Sequence, residues 1–149
     1  MTISDNGVKL IAKFEGLVLH PYLDQINVPT IGYGTTFYPD GTKVTMHDKS
    51  ITKEQAEAYL KNYINKIAIP AITSYVKVVL TQNQIDSLCS FIYNLGAGAF
   101  QKSTLLKKIN AKAPLSEIQE EFVKWNKAGG KVLNALTQRR REEAHLFGQ

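Results

Sequence analysis

One cysteine, Cys89, stands among the 149 residues, so no internal disulfide can form. It lies in an apolar run and reads as a small buried residue. A nucleophilic cysteine needs a basic partner, and His20, His47 and His145 make no evident partner set. Nor do those three histidines have the spacing of metal ligands, so neither a metal nor another cofactor is expected. No stretch approaches the ~20 apolar residues of a membrane-spanning helix. The first ten residues, Met1 to Leu10, lack a basic region followed by an apolar core, and no signal peptide is expected. Repeats, low-complexity tracts and disordered linkers are missing too, which excludes array architectures.

What remains is the composition of a folded domain. The hydrophobic fraction, 44%, is enough to fill a core. A chain of this length makes one domain, or one domain with two lobes. The net charge of +5 attracts polyanions, whether nucleic acid, acidic lipid or anionic bacterial wall, without choosing among them.

In chain order, Ser4 or Asp5 can cap a first helix running to about Glu15. Residues 17 to about 46 are the β-rich part. Leu17, Leu19 and Tyr22 suggest extended chain, and Thr30 opens a strand through Thr36. Pro39-Asp40-Gly41 signals a turn before a short segment from Lys43 to Met46. Thr52 and Gln55 form a capping box that starts a long helix, which Pro70 should break or kink. Residues 71 to 80 read as helical again. A second capping box, Thr81 with Gln84, opens a helix through about Leu95 that is apolar on most sides and therefore central. Ser103 can cap a short helix to about Asn110. Ser116 with Gln119 is a third capping box, for a helix through about Asn126. A last helix carries Val132, Leu133 and Leu136, then Arg139, Arg140 and Arg141. That arginine triplet, with Glu142 and Glu143 adjoining, reads as a solvated, salt-bridged face. No helix-turn-helix or aromatic RNA-binding pattern accompanies it, so no nucleic-acid partner is expected.

The chemistry concentrates in residues 13 to 36. On a helical wheel Val8, Ile11, Ala12 and Glu15 share one side, and Lys9 and Lys13 the other. An acid thus stands where the pattern asks for an apolar residue. Held away from water, such an acid keeps its proton to higher pH and can donate it. Gly16 suits a left-handed helix end and places Glu15 in the last turn, where the helix dipole also disfavours negative charge. Asp24, beside Gln25 and Asn27, should be hydrated and ionised. Two carboxylates in unlike environments are what glycoside hydrolysis requires. The glycines of Ile31-Gly32-Tyr33-Gly34 would let backbone approach a ligand.

Glu15, eight residues, Asp24, five residues, Thr30 and then Ile31-Gly-x-Gly resembles the phage-type lysozymes of glycoside hydrolase family 24. The resemblance extends through Phe91 to Phe100, Trp125 to Lys131, Leu136, Arg139-Arg140 and Glu143, almost the whole chain. It implies an α+β, mostly helical lysozyme-like fold. A small antiparallel β-rich lobe with its connecting helix (about 13–66) would face a helical lobe (about 1–12 and 67–149) across a cleft. It implies catalytic roles for Glu15, Asp24 and Thr30. Tyr93 and Asn94 become cleft residues, and Ser103 borders the sugar site. Trp125 reads as core, with a cleft-wall role as the alternative.

Two departures stand out. Thr35 occupies a position where some members carry a histidine that braces the active-site region, and Asn134 one where many carry glycine.

The implied activity is a muramidase cutting the β-1,4 link between N-acetylmuramic acid and N-acetylglucosamine in bacterial peptidoglycan. Glu15 would protonate the leaving oxygen. Asp24 would stabilise the cationic sugar or orient water, and Thr30 would hold that water. Relatives with this triad invert by direct water attack; retention through a covalent sugar on Asp24 is the other geometry. The alternatives are a lytic transglycosylase on the same bond and a non-catalytic wall-binding module. The resemblance also implies a phage or prophage endolysin, made in the host cytoplasm and reaching the wall through a membrane hole that a holin-type protein makes; a monomer is expected.

Overall fold

The computed structural model describes residues 1–149. Helix α1 (Asp5–Phe14) starts at Ser4, whose hydroxyl accepts from Gly7 N. Ser4 is itself tied down from outside. Its backbone N–H donates to Oδ1 of the buried Asp86 at 2.9 Å, and its hydroxyl bonds Oδ2. Gly7 makes this approach possible, since a Cβ there would lie 2.7 Å from the Asp86 carboxyl carbon. Val8 and Ile11 face the core, while Lys9 and Lys13 face water, as the helical wheel requires. The helix stops one residue earlier than expected. Glu15 is the extended cap residue (φ −99°, ψ 140°), and Gly16 is not left-handed.

Strands β1 (Val18–Leu23) and β2 (Pro29–Gly32) form an antiparallel hairpin, with Tyr22 opposite Thr30. Pro21 has no N–H to give a ladder, and the register shifts between Val18 and Tyr22. The strand expected through Thr36 ends at Gly32. Gly32 (φ +69°) and Gly34 (φ +94°) fold the chain back, so that Ile31 and Thr35 exchange two 2.9 Å backbone bonds. The Pro39–Gly41 turn forms, but the segment after it pairs only as a single bridge between Phe37 and Lys43.

Helix α2 (Lys53–Tyr75) begins at the Thr52–Gln55 capping box and runs without interruption through Pro70. Pro70 forfeits one helical hydrogen bond, yet Ala68, Ile69, Ala71 and Ile72 around it are all buried. Packing of that face outweighs the lost bond. Residues 76–80, expected to be helical, are not.

Helix α3 (Gln82–Leu95) opens on the Thr81–Gln84 box, and every residue from Ile85 to Ile92 is buried. It packs against α1 and α2. Cys89 lies fully inside it, where burial pushes the thiol far up. Helices α4 (Ala97–Lys102) and α5 (Thr104–Asn110) follow.

Helix α6 (Leu115–Val123) starts directly after Pro114, so Ser116 falls inside its first turn and the third capping box does not form. A minute hairpin, β3 (Lys127–Ala128) with β4 (Lys131–Val132), turns at Gly129-Gly130. It delays α7 (Asn134–Phe147), which then packs on α3 and α6. Trp125 meets Phe91 edge-on at 5.7 Å and joins the core. No helix is long and apolar enough to cross a membrane.

Candidate active site

A cavity of about 370 Å³ opens between the glycine-rich turn and the helices. Glu15 lines it from the end of α1, Gly34 to Phe37 from the turn, Leu60 and Tyr63 from α2, and Tyr93 and Asn94 from α3. Three residues singled out in the sequence, Glu15, Tyr93 and Asn94, therefore share one space.

Glu15 is partly exposed, 28% by side chain, and faces a cation. Arg139 Nη1 donates to its Oε1 at 3.0 Å, leaving Oε2 with no protein partner. This corrects the expected greasy pocket: the acid is held by an ion pair across 124 residues of sequence. One oxygen is anchored, the other has no protein partner, and the residue lines the cavity.

Tyr93 donates its phenol to Tyr33 O at 2.8 Å, stitching α3 to the turn. Gly34 permits that contact, since a Cβ there would lie 3.3 Å from the Tyr93 oxygen. Burial pushes the Tyr93 phenol up, and the nearby Glu15 carboxylate adds to the rise. The phenol therefore stays protonated and acts as a donor. Asn94 accepts from Arg140 Nη2 at 2.8 Å through its carbonyl oxygen, which leaves its amide N–H groups free for a ligand.

Asp24 and Thr30 lie on the β1–β2 hairpin and are not among the cavity-lining residues. Asp24 Oδ1 accepts from Ile26 N and Val28 N, both at 2.9 Å, and its Oδ2 has no protein partner. The two amide donors hold that oxygen in place. Thr30 is buried and donates its hydroxyl to Val28 O at 2.8 Å. What that hydroxyl retains is the capacity to accept.

Ser103 stands apart. It is buried, donates to Phe100 O at 2.7 Å and accepts from Leu106 N at 3.0 Å as the cap of α5. Its hydrogen bonds are spent inside the helical body, away from the cavity. No group of three or more His, Cys, Asp or Glu side chains stands close enough to hold a metal.

The expected solvated arginine face is also corrected. Only Arg141 is exposed; Arg139, Arg140 and Glu143 are buried. Glu143 is salt-bridged to both arginines, with Arg140 Nε 2.9 Å from its Oε1. Burial pulls the Arg140 guanidinium down to about 10, although Glu143 opposes this. A signal for this was present. Leu136, Arg139, Arg140, Glu143, Ala144 and Phe147 recur at helical spacing, a stripe that puts the charges on the same face as the apolar residues.

Comparison with known proteins agrees with this architecture. Residues 12–143 match the phage lysozyme family. The chain is 42% identical to the endolysin of Acyrthosiphon pisum secondary endosymbiont phage 1, over 99% of this chain and 98% of that protein. It is 40% identical to the endolysin of Bacillus phage B103 over 99% of its own length, and spans about half (54%) of that relative. A solved structure of a Salmonella phage P22 lysozyme variant superposes with a TM-score of 0.89 at 40% identity, covering 100% and 99% of the two chains. The muramidase domain of SpmX from Asticaccaulis excentricus gives 0.81 at 34% identity, covering 99% and 97%. Sequence match and superposition agree along nearly the whole chain, which belongs to the phage lysozyme family and is a glycoside hydrolase.

Proposed function

We propose that this enzyme is an endolysin that hydrolyses the β-1,4 bond between N-acetylmuramic acid and N-acetylglucosamine in bacterial peptidoglycan. The observation that supports it best is the setting of Glu15: one carboxyl oxygen held by Arg139, the other without a protein partner, on the wall of a cavity sized for part of a sugar chain. Glu15 gives its proton to the leaving glycosidic oxygen. Asp24, its Oδ1 held by two amide donors, stabilises positive charge on the ring or orients the attacking water. Thr30 accepts a hydrogen bond from that water. Direct water attack inverts the anomeric carbon. Asn94 offers its free amide N–H groups to the sugar, and Tyr93 shapes the wall behind Glu15.

In this reading the substrate cleft separates a β-rich lobe with its connecting helix, about residues 13–66, from a helical lobe, about residues 1–12 and 67–149. The net charge of +5 favours approach to an anionic wall. The enzyme acts as a monomer and reaches the wall through a hole that a holin-type protein makes.

Digestion of purified peptidoglycan, wild type beside Glu15→Gln, tests this assignment. The expected products carry reducing muramic ends, and the variant releases them about 10³-fold more slowly. Anhydro-muramic ends, or turnover retained by the variant, would overturn it.

A further inference from the structure

The hydrolysis reaction uses Glu15 and Asn94 at the cavity wall, yet both are held by side chains that converge on one buried carboxylate. Glu143 is fully buried on α7. Its Oε2 accepts from Ser90 Oγ at 2.5 Å, Arg140 Nη2 at 3.2 Å and Arg139 Nε at 3.4 Å, and its Oε1 lies 2.9 Å from Arg140 Nε. Burial pushes the Glu143 carboxyl up, and the facing Arg140 and Arg139 guanidiniums, which offer only donors, oppose this. Beyond it the network divides. Arg139 reaches Glu15 and also donates to Ser90 O at 3.2 Å. Arg140 reaches Asn94. The guanidinium planes are set by aromatic rings, Phe14 under Arg139 at 5.4 Å and Phe91 under Arg140 at 5.2 Å.

We propose that Glu143 is a positioning residue: a single buried carboxylate aims Arg139 at Glu15 and Arg140 at Asn94, and balances the second positive charge of the pair. The proposal rests on the role of Glu15 as the acid. Without Glu143, Arg139 would keep Glu15 as its only carboxylate partner, and the charge of Arg140 beside it would be unbalanced. The Glu15 proton would then be held less firmly and its carboxyl aimed less well. Tyr93 of α3 is coupled to Glu15, to Arg139, and to Tyr63 of α2 and Tyr22 of β1. Burial pushes the Tyr93 phenol up, so it adds no charge beside Glu15. The Lys13–Glu142 pair lies on the outer side of the α1–α7 contact, is partly exposed and cancels its own charge.

The test uses the full chain in four forms: wild type, Glu143→Gln, Glu143→Asp and Glu142→Gln. Two readouts are followed with pH, the rate of reducing-end release from purified peptidoglycan and the carbon-13 carboxyl signal of Glu15. In Glu143→Gln the expected result is a roughly tenfold loss of kcat at neutral pH. The alkaline limb of activity and the Glu15 signal both move toward acid, and KM rises as Asn94 loses its brace. Glu143→Asp keeps the charge and moves both by less. Glu142→Gln, one residue along, moves neither.

A folded Glu143→Gln protein whose Glu15 signal stays in place would overturn the proposal. So would an equal displacement in Glu142→Gln, which would mean distant charge alone is felt. If Glu143→Gln does not fold, Glu143→Asp decides by the same displacement, smaller and of the same sign. Failure of the acid assignment itself looks different: the Glu15 signal moves while the activity limb does not follow it.

Discussion

The two carboxylates proposed for the chemistry are held by opposite means. Asp24 is fixed by amides two and four residues away, inside its own hairpin turn. Glu15 is fixed by Arg139 from the far end of the chain, and Arg139 in turn by Glu143 and the Ser90 carbonyl. The first carboxylate needs only a turn to form. The second needs α1, α3 and α7 all docked. Local error should therefore harm Asp24 alone, whereas damage to the helical body should reach Glu15.

The sharpest way to separate the two is at Glu15 itself. Glu15→Gln keeps an oxygen for Arg139 and should leave the circular dichroism spectrum unchanged, while reducing-end release falls by about 10³-fold. A variant with wild-type turnover would end the comparison, because the long-range anchor would then serve no chemistry. Next comes the anchor. Arg139→Met strands the buried Glu143 with one arginine fewer, and urea unfolding should show a loss of about 3 kcal/mol together with weakened activity. An unaltered unfolding midpoint would show that the ion pair is dispensable.

On the other side, Asp24→Asn retains an oxygen for the two amides. Turnover should drop about 100-fold with no change in thermal midpoint, since only the free oxygen loses its charge. A lowered midpoint would mean that the turn depends on the charge as well. Ser4→Ala removes both the cap of α1 and a partner of buried Asp86, and should cost about 1 kcal/mol in urea unfolding. Because α1 carries Glu15 at its other end, a loss of activity larger than the loss of stability would extend the long-range anchor to the start of the helix.

The smallest effect belongs to the loop after the hairpin. The Thr45 hydroxyl, with the Tyr38 phenol, holds Asp48 below the usual carboxylate range. A group lowered by folding stabilises fully above its unfolded value, near pH 4, and that contribution is lost as pH falls through the lower folded value. Asp48→Asn should flatten the acid side of the urea midpoint against pH. An unchanged acid slope would show that Asp48 has no part in it.

This contrast also explains what the bare sequence disclosed. Features with local causes were legible: the Thr52 and Thr81 capping boxes, the Pro39–Gly41 turn, and the all-round apolar helix that became α3. Features decided by distant packing were not. Pro70 was read as an interruption because propensity gave no account of the buried face that carries α2 through it. Ser116 was read as a cap although Pro114, with φ fixed at −53°, starts the helix before it. At the site, Glu15, Tyr93 and Asn94 were singled out and share the cavity. Ser103 was singled out and is an interior cap. Arg139, Arg140 and Glu143 read as a watery surface from sequence, because charged residues in a row look solvated until the helical stripe is drawn through Leu136, Ala144 and Phe147. Thr35 lines the cavity, bonded through its backbone to Ile31. Nothing in the structure explains why threonine stands there.

Cys89, enclosed on every side within the innermost helix, gives the molecule a built-in clock. A maleimide or other thiol-seeking dye has no route to it while the core is closed. The pace of its labelling under native conditions would therefore count the rare openings of the whole helical body. With no second cysteine in the chain, no internal disulfide competes with the label.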